Sequence, residues 1–549
     1  MTPKLLFARW VLAAGLVLGL ALRLVIVFGG DEGIIWPDEV YQSLEPAHRL
    51  VFGYGFVAWE FIEGARNWAL PGFVAFWMKL SALFGGDSPF VYLRVVRLVF
   101  ALLSVGAAWG VYRLAVVLGA KEVPAAAAAA LWACCAVALL FAHRAMSENA
   151  AAATVVWGLA LVLERTATRR RLLLGASLLG VATLMRLQAG LFCAGALGIL
   201  AARAVADSRW WRRLRPTAAA RLGRFGAWLF PTLPAAEEKP APLTPWRRVG
   251  EVLLVLLLWA VVYGALDAAT WKDAPGAKWG GWFHSAVVYL RFNLIEGRAA
   301  GWGTSPWSYY IRHLWEPMPV VTALLAVGGV LALRRAPGAV LLVLAFTGLH
   351  MAVGHKELRF ILPVLPVACA LVGLALSWRP FSPPTAGQAP TAPPDASSAR
   401  PSAREDAPLT RFQRLLVAFV LAAAAWSGLR ADKLTMGEVG SYASRAKSSA
   451  WDDFGNVNRL LLAASRQKDL CGLRIDVTHM AWAGGYSYLH RNVPVFGQGM
   501  PHQQGFFNYV ITFPGSGAEV VAQDKGIELV RLPGMTTCTP YPDFSWRLP

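Results

Sequence analysis

Charge is scarce in this chain: Asp, Glu, Lys and Arg make up 15% of its 549 residues, against 56% hydrophobic residues. That is too little polar surface to cover a soluble globule, so the composition calls for a polytopic α-helical membrane protein. Acids are scarcer still, 33 against 52 bases, for a formal net charge of +19. The arginines gather in a few loops between apolar segments, which reads as membrane topology and gives no reason to expect a nucleic-acid partner. Cysteine is sparse, and Cys134, Cys135, Cys193, Cys369, Cys471 and Cys538 show no zinc, haem or iron–sulfur spacing. No structural metal is expected. The first four lie in apolar runs, whereas Cys471 and Cys538 stand in a polar tail and could pair if it faces an oxidising compartment. His143, His313 and His350 form no ligand-spaced set. An internal repeat, such as many transporters carry, is also missing.

What the chain does have is long apolar runs. They fall at about 9–28, 90–119, 123–142, 149–163, 172–186, 188–205, 250–269, 318–334, 338–354, 360–378 and 412–429, which predicts about eleven transmembrane helices. Lys4 and Arg9 precede the first run with no small-residue cleavage site before a soluble domain, so an uncleaved span is expected. With a cytoplasmic N-terminus, Arg165 to Arg171, the arginine-rich loop 203–248 and Arg334-Arg335 all fall on the cytoplasmic side. The other face then receives the acidic loop 29–70, the loop 270–316, the stretch around His355 and everything from 430. The expected organisation is a transmembrane unit over 1–378, a Pro/Ala/Ser-rich cytoplasmic linker over 379–411, a last transmembrane helix at 412–429 and a small soluble α/β unit over 430–549. Strands are expected at Leu473 to Thr478, Tyr509 to Phe513 and Ile527 to Leu532, with a turn at Gly484-Gly485.

Three polar stretches on the exterior face could carry chemistry. The first is Trp36-Pro37-Asp38-Glu39 through His48. Pro37 followed by acids predicts a helix start that places Asp38, Gln42 and Glu45 on one face; the plainer reading is that the acids complement the helix dipole. The second holds Asp267, Asn293 and Gly301 to Tyr310, whose aromatics fit either a sugar-binding surface or an interfacial belt. The third is Gly354-His355-Lys356-Glu357-Leu358-Arg359-Phe360. As a helix it would put His355 and Arg359 on one face with Lys356 beside them, three donors suited to a phosphate or to snorkelling at the interface. Arg144, Glu148 and Arg186 fall near exterior ends of spans and read individually as interface anchors.

Together these stretches resemble a known family. His355-Lys356-Glu357-x-Arg359-Phe360 is similar to the His-Lys-Glu-x-Arg-Phe signature of glycosyltransferase family 22, the lipid-phosphate-mannose-dependent mannosyltransferases of N-glycan and GPI-anchor assembly and their bacterial relatives. Pro37-Asp38-Glu39 with Gln42, Glu45 and His48 resembles the family's first-loop pattern, and Asp267, Asn293, Gly303, Pro306, Trp307, Tyr309 and Tyr310 its large-loop pattern. Arg186-Leu187-Gln188 is similar to a further family arginine without the Pro-Thr that often follows it. Ser147-Glu148-Asn149 departs from the Thr-Asn or Ser-Asn pair that relatives often carry. The resemblance spans roughly residues 8 to 378.

The resemblance implies a GT-C fold and inverting transfer of mannose from β-linked polyprenyl-phosphate mannose to a lipid-linked glycan acceptor, forming an α-linkage. A phosphate monoester, with its second pKa near ~6, can leave unprotonated, so one carboxylate base suffices where a glycosidase needs two. Asp38 is assigned as that base with Glu39 as the alternative, and His355, Lys356, Arg359 and Arg186 to the donor phosphate. Gln42, Glu45, Asn293, Trp307, Tyr309 and Tyr310 are assigned to sugar or acceptor. Those cations could do Lewis-acid work, so no metal or other cofactor is demanded. The implied location is a bacterial inner membrane with a periplasmic site, or the endoplasmic reticulum with a lumenal one. A GT-C transferase of arabinose or glucose, a lipid-oligosaccharide flippase and a non-catalytic scaffold are the competing readings.

Overall fold

Helix starts in this chain are written in its side chains. Ser88 caps Phe90 with Pro89 at the first position, Thr168 caps Arg171, and Thr410 and Gln413 form a reciprocal box. Pro245, Pro319 and Pro337 open three more helices, where their missing N–H groups have no helical partner to lose. The computed structural model describes residues 3–208, 243–377, 409–440, 445–498 and 505–548. Most of the 379–411 linker, and the loop arginines from Arg209 to Arg224, lie outside the described residues.

Ten of the eleven apolar runs fall on a single helical segment each; the run 123–142 is split at an extended Cys135 into Glu122–Cys134 and Ala136–Phe141. Six described helices are long and apolar enough to cross a membrane: Leu5–Phe28, Pro89–Val117, Leu187–Ala206, Pro245–Trp271, Leu358–Leu376 and Arg411–Leu429. Shorter apolar helices include Glu122–Cys134, Ser147–Leu163, Pro319–Ala332 and Pro337–Ala352. Ala69–Leu83, outside the eleven runs, is another. The chain is a membrane protein.

The alanine-rich helix Glu122–Cys134 sits at the centre, packed against the first helix, Pro89–Val117, Leu365–Leu376 and Arg411–Leu429. Small side chains permit this closeness. A Cβ on Gly15 would lie 2.9 Å from that of Ala130, and one on Gly19 equally near that of Ala133. Outward faces stay apolar, as at Leu254, Leu257 and Leu258, where lipid is the natural neighbour. At one end the basic loops converge, with Arg248 donating to the carbonyls of Val162, Glu164 and Arg165, and Arg203 to that of Leu163. The loop 29–70, the His355 stretch and the tail meet at the other.

The tail forms a five-stranded sheet of order β2-β1-β3-β5-β4. Its strands are β1 Leu473–Ile475, β2 Val495–Phe496, β3 Tyr509–Thr512, β4 Glu519–Asp524 and β5 Ile527–Arg531, parallel from β2 to β3 and antiparallel beyond. The expected strands are β1, β3 and β5; β2 is too short and β4 too polar to announce themselves. Cys471 and Cys538 are joined by a disulfide. Gly484-Gly485 is no strand turn: it opens the helix Gly485–Leu489, which packs on the first loop.

That packing joins the tail and the loop 29–70 in one apolar core. Tyr41 donates to the carbonyls of Met480 and Ala483, Tyr92 to that of Ser487, and Arg97 to the Tyr488 hydroxyl. Glu45, fully buried, accepts backbone N–H groups from Phe56 at 2.9 Å and Ser487 at 2.5 Å. A Cβ on Gly485, whose φ is +58°, would lie 2.7 Å from that carboxyl carbon, so glycine is required there. His48 and His490 meet at 3.0 Å.

This joint titrates. Burial pushes the Glu45 carboxyl up to about 7, with its two N–H donors only partly offsetting, and pushes His48 down to about 3 and His490 down as well. A raised carboxyl holds its proton more tightly when folded, so its contribution to stability falls as pH rises from the ordinary carboxylate range to about 7. Lowered histidines resist protonation when folded, so their contribution is lost as pH falls below ~6.5. The two slopes oppose each other. Glu45→Gln removes one of them, and its melting temperature should drop more steeply than that of the wild type from roughly pH 7 to 5. A constant gap between the two melting profiles would contradict this.

Candidate active site

The first loop turns at Pro37, whose carbonyl accepts from Val40 and Tyr41. The next turn, Val40–Leu44, is wider than an α-helix, with the Glu45 N–H reaching back five residues to the Val40 carbonyl. The extra residue rotates the helix beyond it. Gln42 stays on the side of Asp38, donating to Glu60 at 2.7 Å, but Glu45 swings into the tail. The expected shared face of Asp38, Gln42 and Glu45 is therefore corrected: Glu45 is sealed in the core between loop and tail. Glu39 is withdrawn too, buried against Arg144 at 2.9 Å. Arg144 also holds Asp31 and the Gly33 carbonyl, which braces the loop.

Asp38 alone of the two candidate bases keeps an open carboxylate, with 27% of its side chain exposed. Its Oδ2 meets Arg359, and Oδ1 has no hydrogen-bond partner among the described residues. Burial, reinforced by Glu357 and Glu148 and opposed by Arg359, holds the Asp38 carboxyl above its ordinary value. Burial and Asp38 together push Glu60 up to about 7.

Arg359 is the hub. Beyond Asp38 it donates to Glu148 at 2.8 Å and Glu357 at 2.5 Å, with its guanidinium over the rings of Phe360 and Trp36. Glu148 is fully buried and shared with Arg186 at 2.7 Å. His355 bridges Glu357 at 3.1 Å and the Gly303 carbonyl at 3.0 Å. Burial would raise Glu357, but Arg359 and His355 hold it below the usual carboxylate range; the same pairing lifts His355 despite burial.

The His355 stretch is not the expected helix. Glu357 is extended and a 3₁₀ segment, Leu358–Val364, follows, because Pro363 and Pro366 lack the N–H groups an α-helix needs there. Lys356 consequently points elsewhere: its buried ammonium donates to the carbonyls of Ser305, Val353 and Gly354. It clamps the second exterior loop instead of joining Arg359.

That loop roofs the site with aromatics. Trp59 stacks on Phe292 at 4.4 Å, Phe292 on Trp302 at 5.3 Å, and Trp302 meets His355 edge-on. Trp307 is 67% exposed, whereas Tyr309, stacked on His313, and Tyr310 are buried. The Tyr310 hydroxyl has no hydrogen-bond partner among the described residues. Asn293 caps its own turn through the Tyr289 carbonyl.

Ser147 and Arg186, both bonded to Glu148, also line a narrow polar cleft together with Gln42, Arg66, Asn67 and Gln188. Asp267, buried, anchors one wall by accepting from Asn67 at 2.9 Å and from the Ser285 backbone and hydroxyl. Among the described residues no group of three or more His, Cys, Asp or Glu is arranged to hold a metal ion. The structure thus brings together Asp38, Gln42, Arg186, His355 and Arg359, and sets apart Glu39, Glu45 and Lys356. Glu148 as the central counter-ion, Glu60 and Arg66 were not legible as site residues. Glu148 read as one more span-end charge, its only sign being the departure at Ser147-Glu148-Asn149.

The model of the Alg9-like mannosyltransferase family matches residues 15–453. Similar proteins include mannosyltransferase APTG1 of Arabidopsis thaliana, 26% identical over 350 residues, covering 62% of this chain and 54% of the relative. GPI mannosyltransferase 3 of Yarrowia lipolytica is 29% identical over 348 residues, covering 63% and 58%. The chain thus spans little more than half the length of these relatives. In fold it is similar to ArnT from Cupriavidus metallidurans, whose crystal structure is bound to undecaprenyl phosphate, at a TM-score of 0.52 and 14% identity over 95% of this chain and 99% of that one. The fold is that of the GT-C glycosyltransferases.

Proposed function

The chain belongs to the Alg9-like mannosyltransferase family, and on that premise we propose that it is an inverting mannosyltransferase moving mannose from polyprenyl-phosphate mannose to a hydroxyl of a lipid-linked glycan or glycolipid. One observation carries the reading: Asp38 keeps an unpartnered carboxylate oxygen and is joined through Arg359 and Glu148 to Arg186, which lines a polar cleft. The acceptor hydroxyl attacks the anomeric carbon on the face opposite the phosphate. Its proton passes to Asp38 as the new carbon–oxygen bond forms. The bond from the anomeric carbon to the phosphate oxygen breaks, its electron pair stays on that oxygen, and polyprenyl phosphate departs as a dianion. A monoester whose second pKa is near ~6 needs no acid to leave, so one base suffices.

Arg359 is the positioning residue, fixing Asp38 through one nitrogen while Glu148 and Glu357 fix Arg359. Arg186 stabilises charge that grows on the departing phosphate, an effect that accelerates transfer only so far as it strengthens in the transition state. Lys356 acts at one remove, holding the loop that carries Ser305. The site faces the periplasm in a bacterial inner membrane, or the lumen of the endoplasmic reticulum in a eukaryote. No cofactor besides the lipid donor is invoked.

The test is a donor panel with purified protein in lipid nanodiscs. Transfer is expected from polyprenyl-phosphate mannose and to fall at least ~10-fold with the arabinose and glucose analogues, since a site built to hydrogen-bond a hydroxyl discriminates strongly against its absence or displacement. Equal use of another sugar would overturn the donor assignment. Donor that crosses the bilayer unconsumed would favour a flippase.

A further inference from the structure

Most cations around Asp38 are already engaged. Arg359 holds three carboxylates, Lys356 three carbonyls, and Arg144 two carboxylates and the Gly33 carbonyl. Two arginines differ. Arg66 has no carboxylate or carbonyl partner for its guanidinium among the described residues; its plane lies against the Tyr289 ring, 5.4 Å from the centroid, and its buried Nε is unpaired. Arg186 gives one terminal nitrogen to Glu148 and Ser147, but its Nε is likewise buried and unpaired. Both line the same cleft.

A buried N–H left without an acceptor is unfavourable, and here both belong to arginines that line one cleft, which marks the spot as under-supplied with acceptors. Arg66 is also held in place. The neighbouring Asn67 donates to the buried Asp267 and accepts from the Ala69 N–H, and the Arg66 carbonyl accepts from the Trp271 indole. Gln188, on the same wall, bonds the Tyr289 hydroxyl under the Arg66 plane. The guanidinium is near enough to Asp38 and Glu60 to act on both carboxyls, yet bonds neither. Such a pre-set cation suits an anion that arrives with the substrate.

We propose that Arg66 and Arg186 form a two-arginine clamp for a phosphate group, with Arg66 meeting the phosphate of the lipid donor and of the polyprenyl phosphate released from it. Arg66 offers its unbonded terminal N–H groups and Arg186 the terminal nitrogen not given to Glu148 and Ser147, and the fork geometry of arginine matches phosphate oxygens. The clamp rests on the reading of the chain as a lipid-phosphate-sugar transferase and adds to it a residue outside the His355 stretch.

Polyprenyl phosphate binding tests the clamp without requiring turnover. Wild-type protein in nanodiscs is titrated with polyprenyl phosphate alongside Arg66→Gln, Arg66→Lys and Asp38→Asn, with a melting curve for each. Arg66→Gln should weaken binding roughly 10–100-fold, the loss typical of a charge-assisted pair. Arg66→Lys should recover part of the affinity by restoring charge without the fork, and Asp38→Asn should bind like the wild type. In transfer assays Arg66→Gln should raise the donor KM and leave the acceptor KM unchanged, a split that general loosening of the fold would not produce. Competition by inorganic phosphate distinguishes the source: weak displacement assigns the clamp to the lipid headgroup, and displacement as strong as by polyprenyl phosphate supports a phosphate site while overturning the lipid assignment. If the wild type binds polyprenyl phosphate and well-folded Arg66→Gln binds it equally, the clamp is wrong and the transferase reading stands. If the wild type binds no polyprenyl phosphate, that reading itself fails.

Discussion

Asp38→Asn should lower transfer by roughly 10²–10⁴-fold, the range for losing a positioned general base, with polyprenyl phosphate affinity and melting temperature close to the wild type. The amide keeps the size of the carboxylate and an oxygen for Arg359 to meet, and Arg359 retains Glu148 and Glu357. What it loses is proton affinity at Oδ1. Because the Asp38 carboxyl is held above its ordinary value, kcat/KM of the wild type should fall as pH drops through that raised pKa, the base being competent only when ionised. The residual activity of Asp38→Asn should lack this acid limb. An Asp38→Asn variant that transfers at the wild-type rate would remove Asp38 from the role, whereas wild-type activity in Glu39→Gln would exclude Glu39, which Arg144 already binds.

Glu148→Gln should have the largest effect on stability. Its carboxylate is the shared counter-ion of Arg186 and Arg359 and is fully buried. Removing one partner of a buried ion pair typically costs about 3–5 kcal/mol, because the charge left behind has neither solvent nor partner. Here Arg186 is left with no carboxylate, while Arg359 keeps Asp38 and Glu357. The melting temperature in detergent should fall sharply and transfer with it, since Arg186 would lose its counter-ion and Arg359 one of its three anchors. The double variant Glu148→Gln/Arg186→Gln should lose less than the two single losses added together, as expected of residues in one network. An unchanged melting temperature in Glu148→Gln would mean that solvent reaches the pair.

How much of the fold and site was legible in the sequence depends on the range of the interaction. Apolar runs are local, so all but the run broken at Cys135 fell on one helical segment, and the charged stretch at His355 to Arg359 stood out because charge beside a lipid-length run demands a partner. Asp38 was legible through its Pro37-Asp38-Glu39 setting. Which of the two acids keeps an open carboxylate was not, for that depends on Arg144, more than a hundred residues later, and on Arg359 beyond it. Helical periodicity misplaced Glu45 because one wide turn at Val40–Leu44 breaks the period, and nothing in the residue types announces that turn. Periodicity misplaces Lys356 for a similar reason: Pro363 and Pro366 deny the stretch an α-helix and send its ammonium to backbone carbonyls. Arg66 carries no local signal at all, since its distinction is a lack of partners that only the folded cleft reveals.

The most direct measurement is the stereochemistry and stoichiometry of a single turnover with β-linked polyprenyl-phosphate mannose and a lipid-linked acceptor. An α-mannosyl product, formed with one polyprenyl phosphate released per sugar transferred and lost in Asp38→Asn, is the result predicted by one base acting opposite one phosphate. A β-linked product would require a covalent or double-displacement route for which Asp38 alone is insufficient, and would contradict the account.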